Sequence, residues 1–319
     1  MGSMMGTLRT RLFGISRRET TFARRGFPPC PDDNRRHLER IGQAFVEGYQ
    51  AALTWDVTPA LIETLNDMPT EFVGFGFEGA AMAFALLDRV TPWRRDRIAN
   101  FLEGPGERHT YMIHVGVGFA LARLRRRVES TMSNLDPLLR WLVVDGYGFH
   151  EGFFRWRETF EARTVPGRIA GYARRVFDQG LGRALWFCGG AQADRIGMMI
   201  AAFPQSRRPD LWSGIGLASA YAGGVGRTTL EQLRGMAASD NSVAELKQGA
   251  AFAAKARERA GIMLQHTEMA CEVYCDHSAT HAARLTDEAL AGLDTSQEQQ
   301  GATATTPTYE VWRRRIQAV

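Results

Sequence analysis

The chain has 319 residues, 45% of them hydrophobic and 23% charged, proportions of a globular protein that exclude a disordered chain, a collagen or a disulfide-stapled miniprotein. Its 39 basic residues exceed the 35 acidic ones by only 4, too weak a field for a nucleic-acid binder, which gathers its cations on one face. Four cysteines in so long a chain do not make a disulfide framework, so the sequence reads as that of a cytoplasmic protein.

From the N-terminus, Arg9, Arg11, Arg17, Arg18, Arg24 and Arg25 face a single acidic residue, Glu19. Residues 1–31 therefore read as a basic, solvated arm, with docking to an acidic partner or to headgroups as the alternative. No apolar run reaches the roughly 18 residues of a membrane span, and the longest, Phe72–Leu87, carries Glu78. A helix is expected near 35–53.

Beyond it the chain repeats. Gly79, Gly116, Gly152, Gly180, Gly214 and Gly249 recur in similar apolar contexts at spacings of 37, 36, 28, 34 and 35 residues, and all but Gly152 are followed two residues later by Ala or Gly. A glycine inside a helix costs about 1 kcal/mol relative to alanine, so its recurrence implies a shared need for close helix contact. Start signals precede several of these helices: Thr58-Pro59, Thr91-Pro92 and Asp136-Pro137, then the capping boxes Thr228-x-x-Glu231 and Ser242-x-x-Glu245. The pairs 58–67 with 73–89, 91–102 with 110–125, 136–143 with 146–157, 167–176 with 178–188, 193–203 with 210–221 and 227–238 with 243–260 make six helical hairpins. With no alternating strand pattern, the fold class is all-α: a single helical-repeat domain over 32–293, a tetratricopeptide-like α-solenoid, with an α/α toroid as the alternative. A Ser/Gln/Thr/Gly segment at 294–306 reads as flexible, and 307–319 as a C-terminal helix that docks Trp312 on the array.

Registering the repeats aligns polar residues too. Immediately before the glycines stand Glu78, Val115, Glu151, Gln179, Ser213 and Gln248, and one position earlier Phe77, His114, His150, Asp178, Trp212 and Lys247. Equivalent positions of stacked units face one surface, so acids, imidazoles and a cation would converge in an apolar groove. The catalytic candidates are His150, Glu151 and Asp178, since a histidine beside carboxylates suits acid–base work near neutral pH. The substrate-binding candidates are Glu78, His114, Asp145, Tyr147, Phe153, Gln179 and Arg183, with Phe149, Phe154 and Trp156 as further aromatic lining for a flat or extended apolar ligand. The competing reading makes these residues caps, bridges between units and plain core. His266, Cys271, Cys275, His277 and His281 do not match a zinc pattern, and the chain lacks a nucleophile-elbow, metalloprotease or dinucleotide fingerprint, so no metal and no cofactor are assigned.

The blocks FEGAAMA (77–83), YMIHVGVGFALARL (111–124), DGYGFHEGFF (145–154), FDQGLGRALWF (177–187), LWSGIGLASAYAGG (211–224) and QGAAFAAKAR (248–257), with TLRTRLFGIS near the start and YEVWRRRIQ near the end, resemble the DUF 1702 family along nearly the whole chain. The resemblance implies an association with enediyne polyketide synthases of actinomycetes, and it brings no catalytic residues with it. The function expected is that of an accessory protein that binds or processes an apolar polyene or polyyne. The alternatives are a non-catalytic scaffold for a polyketide synthase or a membrane partner, and an all-α terpenoid-type cyclase, which would need a diphosphate–metal motif that the sequence lacks.

Overall fold

Two helices can bring their backbones together only where one lacks a side chain, and the core of this protein is built on that contact. A computed structural model describes residues 2–91, 93–294 and 306–319; among them the regular structure is helical, with no strand. The longer helices are α1 (Gly2–Phe13), α2 (Asp32–Trp55), α3 (Val73–Val90), α4 (Thr110–Arg123), α5 (Trp141–Phe154), α6 (Ala173–Cys188), α7 (Arg208–Ala222), α8 (Val243–Ala260), α9 (Gln265–Cys275), α10 (Ala279–Leu290) and α11 (Thr308–Ala318). Helices α2 to α8 pack each against the next, in chain order, as an α-solenoid-like stack. Further amphipathic helices such as Pro59–Asn66, Ala193–Ala201 and Arg227–Ser239 cover its outside. Every residue of α3 from Val73 to Leu87 is buried, as an all-round apolar helix must be.

The register of the stack is written in the glycines. A Cβ added at Gly79 would overlap the carbonyl oxygen of Phe45, one at Gly116 that of Glu78, at Gly146 that of Val115, at Gly180 that of Asp145, at Gly214 that of Gln179 and at Gly249 that of Ser213. A second set faces the following helix: Gly48 meets the carbonyl of Gly76, Gly118 that of Val143, Gly148 that of Phe177, Gly182 that of Leu211 and Gly216 that of Leu246. The residue two positions earlier touches the helix before, and its partner touches the helix after. This corrects the register of the third repeat, whose equivalent glycine is Gly146 rather than Gly152. It also adds α2, with Val46 and Gly48, as a first member.

Several boundaries differ from the expected ones for one reason: polar residues read as helix starts serve other helices. Helix α5 runs unbroken through Asp145, and α6 through Asp178 and Gln179, because these side chains bond laterally to Arg183, Arg207 and Asp145. The Thr91 hydroxyl bonds back to the Leu87 carbonyl at 2.6 Å and ends α3 rather than opening the next helix, which begins at Arg97.

The stack curls until its far end returns to its beginning. The Tyr221 hydroxyl of α7 occupies the space a Cβ on Gly74 of α3 would take. His37 Nε2 of α2 lies 2.6 Å from the Ala222 carbonyl, and Arg257 of α8 donates to the Glu71 carbonyl at 3.1 Å. The N-terminal segment is not a solvated arm. Arg9 pairs with Asp56 at 3.2 Å, Arg24 and Arg25 share Glu19, and Phe22 and Phe27 are buried against the array. At the other end Trp312 is fully buried, donates to the Thr286 carbonyl at 2.7 Å and packs 4.5 Å from Phe252. The segment expected to be flexible, 294–306, falls almost wholly on 295–305, outside the described residues.

Candidate functional site

In the corrected register, the position before the first small residue is held by Phe45, Glu78, Val115, Asp145, Gln179, Ser213 and Gln248, and all seven are buried. From Glu78 onward this row, Val115 excepted, takes part in a polar chain through the stack. Arg183 of α6 pairs with Asp145 and, at 3.5 Å, with Glu78. Gln179 Nε2 donates to Asp145 Oδ2 at 2.8 Å. The single proton of the Ser213 hydroxyl goes to Gln248 Oε1 at 2.9 Å, with Gln179 Oε1 farther off at 3.4 Å. Arg313 of α11 completes the chain, donating to Gln248 Oε1 at 3.1 Å and to Asp210 at 2.8 Å. Unpaired, such groups would be costly to bury; satisfied, they fix the relative rotation of the helices.

At its Glu78 end the chain meets a slot between α2 to α6. Phe45, Phe75, Phe119, Phe149, Phe153, Phe154 and Phe187 form its walls, Ile41 and Gly42 continue them, and Glu78, Arg183 and Thr20 are its polar lining. The Arg183 guanidinium lies 5.1 Å from the centroid of Phe149. The slot has about 40 Å³ for the centre of a water-sized sphere, room for about two or three waters as it stands. Its least buried walls, Gly42 and Phe154, mark the mouth, where Thr20 packs against Gly42 and Arg25 lies 5.3 Å over the Phe154 ring.

Burial pushes the Glu78 carboxyl up to about 7, outweighing Arg183, whose guanidinium is shared with Asp145. At neutral pH this carboxyl is divided between acid and base, the condition for a proton donor or acceptor.

The row one position earlier turns about 100° away around each helix and meets other elements. Phe77 stacks on His109 at 4.1 Å; His114 Nδ1–H donates to the Thr110 carbonyl at 2.7 Å; Asp178 is held by Arg207; Trp212 Nε1 donates to Asp240 at 2.9 Å. Of the ten residues singled out from sequence, the structure thus gathers Glu78, Asp145, Gln179 and Arg183 in the polar chain and Phe153 in the slot wall. His150 and Glu151 stand beside the slot: His150 packs against Phe119 and Phe154, and its Nδ1 is 3.7 Å from Glu151 Oε1, too long for a hydrogen bond. Burial lowers the His150 imidazole; the Glu151 carboxyl, which burial alone would raise, is held below its usual range beside the charged Arg155. His114, Tyr147 and Asp178 lie in neither group; burial raises Asp178 to about 6 against the pull of Arg207.

Phe45, Phe75, Phe119 and Phe187 were missed by the sequence reading. For Phe119 a signal was available three residues after the first small position, where it shares a row with Phe149 and Arg183 once α5 is registered on Gly146; Phe45, Phe75 and Phe187 stand outside that row. A larger depression of about 400 Å³ between Arg17, Arg40, Glu47 and Asp67 is open and charged, and holds none of the singled-out residues. Cys271 and Cys275 are buried, and the His277 and His281 rings lie 4.1 Å apart, tilted by 32°. Among the described residues, no group of three or more His, Cys, Asp or Glu side chains is placed to hold a metal ion, and no helix is long and apolar enough to cross a membrane.

A family model described as a protein of unknown function (DUF1702) matches residues 4–319. No curated protein and no solved structure matches the chain.

Proposed function

We infer that this chain, which belongs to the DUF1702 family, is an accessory protein of enediyne biosynthesis that holds an elongated, apolar, conjugated intermediate in the phenylalanine slot. The observation that carries this reading is the slot itself: seven phenylalanines around a narrow cleft, with one ion pair at its floor. Aromatic faces suit a thin unsaturated chain, and so small a cleft admits one only when Phe154 at its mouth rotates. Glu78 takes the acid–base role, giving a proton to the bound chain or taking one from it, while Arg183 stabilises the ionised carboxylate. His150 and Glu151, packed behind Phe119 and Phe154, position the wall in this reading.

Titration of the purified protein with an all-trans heptaene hydrocarbon, followed by the polyene absorption band, tests this. Saturable binding that Phe149→Trp or Phe153→Trp abolishes is expected. Absence of saturable binding, or binding indifferent to both substitutions, would overturn the reading and leave the scaffold alternative.

A further inference from the structure

Arg97, Arg183, Arg257 and Arg313 are at most 5% exposed. Three of them face carboxylates: Arg97 meets Asp56 at 3.2 Å and Asp88 at 3.0 Å, Arg183 meets Asp145 and Glu78, and Arg313 meets Asp210 at 2.8 Å and Glu310 at 3.6 Å. Arg257 is different. Its Nη2 donates to the main-chain carbonyls of Tyr221 at 2.7 Å and Glu71 at 3.1 Å, and its guanidinium carbon lies 3.9 Å over the Tyr221 ring. Its Nε and Nη1 have no acceptor among the described residues. The Glu71 carboxylate is engaged by Arg40 instead, at 3.8 Å.

A guanidinium does not shed its proton to escape burial, so a charge left in this state calls for an anion. The surroundings agree. The Tyr221 hydroxyl and His109 Nδ1 are also buried without partners among the described residues. Burial, reinforced by the Arg257 charge, lowers His109 and His266 to about 4, so neither adds a second positive charge at neutral pH. One positive charge with no carboxylate paired to it among the described residues, beside further buried polar groups without partners, suits a monoanion with more than one acceptor atom, a carboxylate, better than a phosphate. Phe75, a wall of the slot, meets the Tyr221 ring edge-on at 5.3 Å, so this centre lies one ring beyond the slot.

We propose that Arg257, with the Tyr221 hydroxyl and His109, is a buried receptor for a carboxylate, either the acid terminus of the chain bound in the slot or a small free carboxylate ion. The first form rests on the slot reading; the second does not.

Two sets of measurements on the wild-type protein decide between these. Affinity is compared for an all-trans heptaene carboxylic acid and the heptaene hydrocarbon, and the thermal midpoint is followed as sodium formate replaces sodium chloride at constant ionic strength. Acid binding at least tenfold tighter than hydrocarbon, with the advantage lost in Arg257→Lys and reduced in Tyr221→Phe, establishes the ligand-terminus form. A formate-dependent rise in midpoint, absent in Arg257→Lys, with acid and hydrocarbon bound alike, establishes the free-ion form. If the hydrocarbon does not bind but formate stabilises, the slot reading fails and the receptor stands. Equal binding of acid and hydrocarbon together with no formate effect overturns the proposal, since water alone then satisfies these donors.

Discussion

Gly214 lies against the main chain of Gln179: a Cβ on Gly214 would overlap the Gln179 carbonyl oxygen and stand 2.7 Å from the Arg183 amide nitrogen. Neither atom can rotate away, so an alanine must push α6 and α7 apart. Gly214→Ala should destabilise the protein by about 1–3 kcal/mol despite its better helix propensity. Gly235, inside the outer helix Arg227–Ser239, has nothing within 4 Å of a built Cβ, and Gly235→Ala should stabilise by about 0.5–1 kcal/mol. Urea denaturation of the two variants gives opposite signs; equal signs would remove close backbone contact as the reason for the repeat.

Glu78 should make stability fall as pH rises. Folded, it keeps its proton to about pH 7; unfolded, it releases it near its ordinary 4.5. Below pH 4.5 both states are protonated and nothing is lost. Between 4.5 and 7 the unfolded chain alone ionises, and the folded state loses on the order of 3 kcal/mol relative to it. Glu78→Gln lacks this dependence, so its stability relative to wild type should improve across that window, read from thermal midpoints at a series of pH values. A constant difference would place the Glu78 carboxyl in its ordinary range.

Arg313 ties the last helix to the polar chain. Arg313→Met leaves Asp210 and Glu310, both buried, with less compensation, and a loss of about 3–5 kcal/mol is expected from chemical denaturation. The exposed pair of Arg36 with Asp33 provides the contrast, and Arg36→Ala should barely move the midpoint.

The two carboxylates near the slot should separate in function. Glu151 lies outside the lining and is compensated by Arg155 at 3.2 Å, so Glu151→Gln should change heptaene affinity by no more than about twofold. Glu78→Gln should remove any proton exchange between protein and bound polyene, measured by deuterium uptake into the ligand from heavy water. Full uptake in that variant would return the acid–base role to His150 or Glu151.

Much of the fold was legible because glycine in a helix has few uses, and a period near 34 residues leaves only stacking. The third unit was misplaced because α5 carries Gly146, Gly148 and Gly152, and matching polar neighbours favoured the wrong one. Gly146-x-Gly148 repeats the small-x-small pattern of Gly116, Gly180 and Gly214, so the better register was present in the chain. The membership of α2 in the repeat escaped notice since Val46 stands where the others have a small residue. For the site, alignment brought Glu78, Gln179 and Arg183 together but merged two rows one residue apart, which a helix turns to different neighbours. The meeting of Tyr221 with Gly74 depends on accumulated curvature, and no local pattern encodes it.

That meeting limits how the molecule can change. An open superhelix lengthens by duplicating a module, because its two ends never have to agree. Here α7 and α8 seat on the beginning of α3, through Tyr221 at Gly74 and Arg257 at the Glu71 carbonyl. A module inserted or deleted between them would carry these seats out of reach. The number of modules is thereby counted.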